Sequence, residues 1–91
     1  MRFKWDKNKS KLLERDRRRG FSFDKVAQIF QHPYFLDQKN DDPAQFRAIG
    51  FVDNKMMTLI FEMREDAKGE FYHFVTYWPS TSTERKLYEQ G

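Results

Sequence analysis

The chain contains no cysteine, and it has only four glycines and three prolines among 91 residues. The absence of cysteine excludes a disulfide framework and every thiolate metal site, and it favours a reducing compartment such as the cytoplasm. No apolar run approaches the roughly 18 residues of a membrane-spanning helix, and no apolar segment follows the first charges as in a signal peptide. We therefore expect a cytoplasmic protein without a membrane segment.

Aromatic residues are abundant instead. Ten phenylalanines, four tyrosines and two tryptophans make up 18% of the chain, although 34% of its residues are charged. Such large side chains allow a small domain to bury a core. Because 91 residues leave too little material for a second core, the sequence predicts one folded domain over residues 1–91.

Positive charge is concentrated near the N-terminus. Residues 1–20 contain nine Lys and Arg against three acidic residues, whereas residues 21–91 contain eight against eleven. A basic element on a mildly acidic body indicates contact with a polyanion or with an acidic partner. The alternative is a solvated helix face that binds nothing.

The N-terminal third predicts one strand and two helices. Residues 2–5 alternate polar and apolar side chains as a strand does, and Asp6 can cap a helix over residues 7–19. Ser22 can cap a second helix over residues 23–31. The apolar stripe of that second helix predicts burial of Phe23, Val26, Ala27 and Phe30.

The remainder predicts a meander of antiparallel strands. A short strand over residues 34–36 and a polar loop over residues 37–43 precede strands at residues 45–52, 55–64 and 70–78, of which residues 55–64 form the central one. Asp53-Asn54 predicts a tight hairpin turn, and residues 65–69 predict a looser one.

The last strand and the C-terminus have clear local patterns. Strict alternation from residue 70 to residue 78 would place Phe71, His73, Val75 and Tyr77 on one face and Tyr72, Phe74, Thr76 and Trp78 on the other. Pro79 ends this strand. Thr81 and Glu84 then match a capping box that opens a final helix, which extends to about Gln90.

The sequence lacks the common catalytic motifs. It has no glycine-rich phosphate loop, nucleophile elbow or dinucleotide fingerprint. His32 and His73 lie on different elements, and neither has a carboxylate at ligand spacing, so no metal site is predicted. What remains is a basic helix beside aromatic strands, which favours single-stranded nucleic acid as the ligand.

Metal-independent RNA cleavage needs a group that deprotonates the 2′-hydroxyl and cations that stabilise charge at phosphorus. His73, Arg47, Arg85 and residues 17–19 offer these groups. Each has a structural alternative: a packed histidine, an arginine exposed on the sheet, or charges that complement a helix dipole.

Five short strings in a fixed order are spread from residue 3 to residue 89 and so span nearly the whole chain. They are Phe3-x-Trp5-Asp6-x-x-Lys9, Arg18-Arg19-Gly20-Phe21-Ser22-Phe23, Arg47-Ala48-Ile49-Gly50, Thr76-Tyr77-Trp78-Pro79 and Thr83-Glu84-Arg85-Lys86-Leu87-Tyr88-Glu89. Their order and spacing resemble the BrnT toxin family, the RNA-cleaving half of bacterial type II toxin–antitoxin pairs, whose fold is related to RelE. The chain departs from the family where Gln45 and Trp78 replace usual arginines and where Arg19 replaces a usual histidine.

The resemblance implies a small RelE/BrnT-like α+β domain. Its antiparallel sheet would have about four to five strands, with two N-terminal helices and one C-terminal helix. It also implies a ribonuclease without cofactor or metal, which a small DNA-binding antitoxin neutralises in an oligomeric complex. The catalytic residues would be His73, Arg47, Arg19 and Arg85. RNA would contact Lys7, Lys9, Lys11, Arg15, Arg17, Arg18 and, by stacking, Trp78.

Two other functions fit the same sequence. A catalytically inactive BrnT-like protein could serve as an RNA-binding or protein-binding module. A structural adaptor could instead bind another protein through exposed aromatic side chains.

Overall fold

A computed structural model describes all 91 residues as one sheet with helices on both of its faces. The elements are β1 (Arg2–Lys4), α1 (Lys7–Arg15), α2 (Phe23–Val26), a 3-10 helix (Ala27–Gln31), β2 (Phe35–Asp41), β3 (Ala44–Val52), β4 (Lys55–Asp66), β5 (Gly69–Pro79) and α3 (Ser82–Gln90). The strand order is β1-β5-β4-β3-β2. The predicted α+β class and the central position of β4 are confirmed. No helix combines the length and the apolar character that crossing a bilayer requires.

The strands pair mostly as a meander. β2, β3, β4 and β5 pair with one another antiparallel, whereas β1 pairs with β5 in parallel, so the sheet is mixed and not antiparallel throughout as predicted. The predicted Asp53-Asn54 hairpin is confirmed, since these residues have φ angles of 49° and 69°, as a type I′ turn requires.

The core lies between the sheet and the segment formed by α2 and the 3-10 helix. Phe23, Val26 and Ile29 are completely buried at a spacing of three residues, whereas Ala27 and Phe30 of the predicted stripe are only partly buried. This spacing suits the three residues per turn of a 3-10 helix, so the predicted single helix changes geometry after Val26. Gly50 permits close packing here, because a Cβ atom at this position would lie 3.1 Å from the Ile29 side chain.

Helix α1 ends four residues earlier than predicted. Asp16 follows its last residue, and the Asp16 carboxylate accepts hydrogen bonds from the backbone N–H groups of Arg18 and Arg19. This local alternative to helical hydrogen bonding places residues 17–19 in a turn. The buried Ser10 hydroxyl anchors α1 by accepting a hydrogen bond of 2.8 Å from the Phe23 N–H.

The prediction of a loop over residues 37–43 is wrong for most of these residues. Residues as far as Asp41 belong to β2 and pair with β3, and only Asp42 and Pro43 form the turn. The polar side chains are accommodated because Asp37 pairs with Arg47 directly across the two strands. The turn after β4 is likewise shorter than predicted, because only Ala67 and Lys68 separate β4 from β5.

The strict alternation predicted for β5 fails at a β-bulge. Ile60 of β4 pairs with Thr76 and the next residue, Phe61, pairs with Phe74, so Val75 has no partner. Beyond the bulge the two faces exchange, which places Tyr77 in the core with Phe74. Trp78 and His73 therefore lie on the same side of the sheet instead of opposite sides.

Candidate functional site

The side of the sheet opposite α2 and the 3-10 helix carries most of its polar side chains. We call this side the second face; α3 packs over one end of it. The strand register places there Asp37, Gln45, Arg47, Thr58, Ile60, Glu62, Arg64, His73, Thr76 and Trp78. These side chains divide into two groups, one around His73 and one around Arg47.

The first group is the His73 cluster, formed by His73, Glu62, Arg64 and Gln45. Glu62 lies directly across from His73 in the β4–β5 pair. Its carboxylate accepts hydrogen bonds from Gln45 Nε2 at 2.9 Å and from Arg64 Nε and Nη2 at 3.0 and 2.6 Å. The Gln45 hydrogen bond, followed by those of Arg64, lowers the pKa of Glu62, so this nearly buried group is a carboxylate at neutral pH.

His73 is partly buried, and its ring makes no hydrogen bond to another protein group. Both ring nitrogens reach solvent, because no buried polar side-chain atom lacks a partner. Burial lowers the pKa of His73 below its ordinary value of 6.5, and the positive charge of Arg64 lowers the pKa further. At pH 7 the side chain is therefore a neutral imidazole that can accept a proton from a ligand.

Charges of both signs act on this imidazole, since the carboxylates of Glu62 and Asp6 raise its pKa whereas nearby cations lower it. Lys9, near the start of α1, is close enough for its charge to lower the pKa of His73. Lys4 is the neighbour of His73 on β1, but its Nζ atom lies 2.6 Å from Asp66 Oδ2. The Arg64 side chain is half exposed, so Arg64 and Lys9 are the cations that a phosphate beside His73 could meet.

The second group holds α3 on the sheet. The Arg47 guanidinium donates to Asp37, with Nε 3.0 Å from Oδ1, and its Nη1 atom lies 3.8 Å from Glu84 Oε2. The Glu84 carboxylate also accepts a hydrogen bond of 3.0 Å from the Trp78 indole. Arg47 and Trp78 share a face with His73, but these contacts engage their polar groups within the protein.

The four predicted catalytic residues do not come together. Arg47 lies two strands away from His73, roughly 10 Å at the usual strand spacing. Arg19 donates from Nε to the Tyr77 carbonyl at 2.6 Å and pairs with Asp16 at 3.2 Å. Arg85 lines a groove beside Pro79, six positions along β5 from His73 and therefore roughly 15–20 Å away.

The residues predicted to contact RNA also lie on separate surfaces. Lys7 and Lys11 line an open groove of about 540 Å³ along α1, where Glu14 and Asp24 partly offset their charge. Lys9 lies nearer His73, and Arg18 lines the same groove as Arg85. Arg15 and Arg17 are exposed.

Sequence reasoning missed Glu62 and Arg64. The alternation of β4 contained the signal, since these charged residues interrupt a strand in which Phe61 and Met63 face the other way. Their significance depends on the pairing with His73, which is a feature of the assembled sheet.

No protein-family model matches this chain. A search of curated proteins also finds no match. The resemblance to the BrnT family therefore stays a prediction that rests on the strings quoted above.

Proposed function

We propose that this protein is a metal-independent ribonuclease whose reaction takes place at the His73 cluster. One observation carries the proposal: a neutral imidazole that reaches solvent lies directly across from a fixed carboxylate, Glu62. Arg64, which pairs with Glu62 but is half exposed, and Lys9 are the cations whose charges reach this imidazole. This set replaces the one predicted from the sequence, which relied on Arg47, Arg19 and Arg85 beside His73.

The groups divide the chemistry among them. His73 removes the proton from the 2′-hydroxyl, and the resulting oxyanion attacks the adjacent phosphorus while the bond to the 5′ oxygen breaks. The products are a 2′,3′-cyclic phosphate and a 5′-hydroxyl, whose proton comes from water. Arg64 and Lys9 stabilise the charge that develops on the phosphoryl oxygens. The Glu62 carboxylate stabilises the imidazolium that forms.

Replacing His73 by Gln should reduce RNA cleavage by about 100-fold or more, because the substituted side chain cannot accept the proton. A cleavage time course on single-stranded RNA measures this effect, with a chelator present. His32→Gln is the matched control, since His32 is an exposed histidine outside the cluster. Undiminished cutting by His73→Gln would remove His73 from the mechanism.

The cleavage rate should also fall when the pH is lowered. The pKa of His73 lies below 6.5, so its basic form predominates at pH 7 and the rate should level off there. Below that pKa the rate should fall about tenfold for each pH unit, as the imidazole becomes protonated. A rate that rises on acidification would contradict the role of His73 as the base. The control is RNA binding by His73→Gln, measured over the same pH range.

The biological role that we propose follows the resemblance to BrnT. The protein would act in the bacterial cytoplasm as the toxin of a type II pair, and a small DNA-binding antitoxin would bind it in an oligomeric complex. The exposed cations of residues 1–20 support this role, because an acidic segment of the antitoxin could cover them and exclude RNA.

A second candidate is a protein that binds RNA or another protein without cleavage. The engagement of Arg47 by Asp37, of Arg19 by Tyr77 and of Arg64 by Glu62 favours it, because these three cations already have partners within the protein. Wild-type protein that binds RNA and leaves it uncut would establish this alternative.

A further inference from the structure

A groove of about 440 Å³ lies at the end of the sheet far from His73. The turn after α1, the β3–β4 hairpin and α3 form its walls. The lining residues are Arg18, Phe51, Asn54, Lys55, Met56, Met57, Pro79, Arg85 and Glu89. These residues are distant in sequence, so the groove exists only in the folded chain.

Positive charge dominates this groove. Arg18, Lys55 and Arg85 come from three different elements, and none of them has a carboxylate within ion-pair distance. The Lys55 Nζ atom lies 5.9 Å from the centre of the Phe21 ring, a weak contact that leaves its charge uncompensated. Glu89 is the single acidic residue in the lining. Like charges that line one groove without carboxylate partners repel each other, and an anion bound between them removes that repulsion.

Apolar side chains line the groove beside these cations. Phe51 is 38% exposed, and its ring is held edge-on by Tyr88 at 5.6 Å between centroids. Met56 and Pro79 continue this apolar surface. An exposed ring next to cations that lack carboxylate partners provides a stacking surface for a base and a binding site for the neighbouring phosphate.

We infer that this cation groove binds one nucleotide unit of a single-stranded RNA, several nucleotides from the bond that is cut. The inference rests on the proposed function, which supplies RNA as the ligand class. Arg18 and Arg85 bind the phosphate together with Lys55, and the base lies against Phe51. The groove thereby extends the substrate site along β5 from His73 toward Pro79.

Fluorescence anisotropy with a labelled oligouridylate of about 12 nucleotides tests the inference. All proteins carry His73→Gln so that the RNA remains intact. Adding Lys55→Gln or Arg85→Gln should weaken binding by about tenfold, as expected for the loss of one charge-assisted contact. Each should also reduce the slope of log affinity against log salt by about 0.7. Lys86→Gln is the matched control, because Lys86 is exposed on α3 but does not line the groove.

Groove variants that bind no more weakly than Lys86→Gln would overturn the inference. Displacement of RNA by poly-glutamate of equal charge, at equal concentration, would assign the groove to an acidic protein segment and would likewise overturn it. The outcome is independent of cleavage. If the wild-type protein binds RNA through this groove but does not cut it, the proposed reaction is refuted and the groove is not. If Lys55→Gln cuts RNA with an unchanged KM, the groove is refuted and the reaction is not.

Discussion

Truncation of Phe30 to alanine is expected to lower the free energy of unfolding by about 3–5 kcal/mol. The Phe30 ring lies 5.1 Å from Phe3, 5.6 Å from Phe61 and 5.6 Å from Tyr72, measured between centroids. It therefore joins the 3-10 helix to β1, β4 and β5 at once, and its removal would leave a cavity among aromatic rings that cannot all close inward. Urea denaturation of the wild type and the variant measures the difference.

Phe51→Ala serves as the comparison for this truncation. Phe51 is one of the exposed aromatic residues, and its one aromatic partner is Tyr88. Removing the same number of atoms there should cost less, about 1–2 kcal/mol, because 38% of Phe51 stays in contact with solvent and its truncation leaves no enclosed cavity. A loss below about 1 kcal/mol for Phe30→Ala would show that the stripe on the 3-10 helix does not support the core.

The features predicted correctly from the sequence are those that a few neighbouring residues determine. The side chains of Asp6, Ser22 and Thr81 cap their helices as predicted, and the Thr81–Glu84 capping box is complete. The Asp53-Asn54 turn belongs to the same class, since both residue types tolerate a positive φ angle. In each case the stabilising contact lies within four residues of the group it satisfies.

The errors arise where distant residues decide the structure. Composition makes residues 37–43 resemble a loop, but backbone pairing with β3 and the contact between Asp37 and Arg47 make most of them a strand. The bulge at Val75 is equally invisible in the sequence, because strict alternation also describes this segment well. Both features depend on the position of a neighbouring strand.

The candidate site also combines a residue that the sequence can indicate with residues that only the fold brings together. The proton-exchanging residue His73 could be selected from its chemistry alone, since it is one of two histidines in the chain. Its neighbours Glu62 and Arg64 could not, because the strand register brings them together. The charge of Arg47 makes it a candidate from sequence, but in the folded protein its guanidinium pairs with the carboxylates of Asp37 and Glu84. A residue type therefore indicates what chemistry a side chain can perform, whereas the pairing of the strands determines which side chains lie close enough to act together.

Replacing Glu84 by Gln is expected to lower the free energy of unfolding by about 2–4 kcal/mol at pH 7. Glu84 is 5% exposed, and its carboxylate accepts hydrogen bonds from the Thr81 N–H at 2.8 Å, from the Thr58 hydroxyl at 3.0 Å and from Trp78. Glutamine has nearly the same shape, and its oxygen can replace Oε1, but its NH2 group then takes the place of Oε2 and faces the Trp78 indole N–H at 3.3 Å and the Arg47 guanidinium. It also leaves Arg47 with less negative charge to balance it.

The acid dependence of stability provides a second measurement on the same variant. Burial raises the pKa of Glu84, but the hydrogen bonds from Thr81, Trp78 and Thr58 together outweigh burial and hold the pKa below its ordinary value of 4.5. The stabilisation that Glu84 provides is therefore present above about pH 4.5 and is lost as the pH falls through the lower pKa of the folded state. The Glu84→Gln variant lacks this component.

Denaturant melts between pH 7 and pH 3 should show the two proteins converging, because the wild type loses stability more steeply than Glu84→Gln. Glu89→Gln is the control on the same helix; Glu89 is exposed, so its substitution should change stability by less than about 0.5 kcal/mol. A constant difference between wild type and Glu84→Gln at every pH would mean that the lost charge is not what the Thr58, Trp78 and Thr81 donors stabilise. A difference no larger than that of Glu89→Gln would mean that α3 is held on the sheet by its apolar contacts alone.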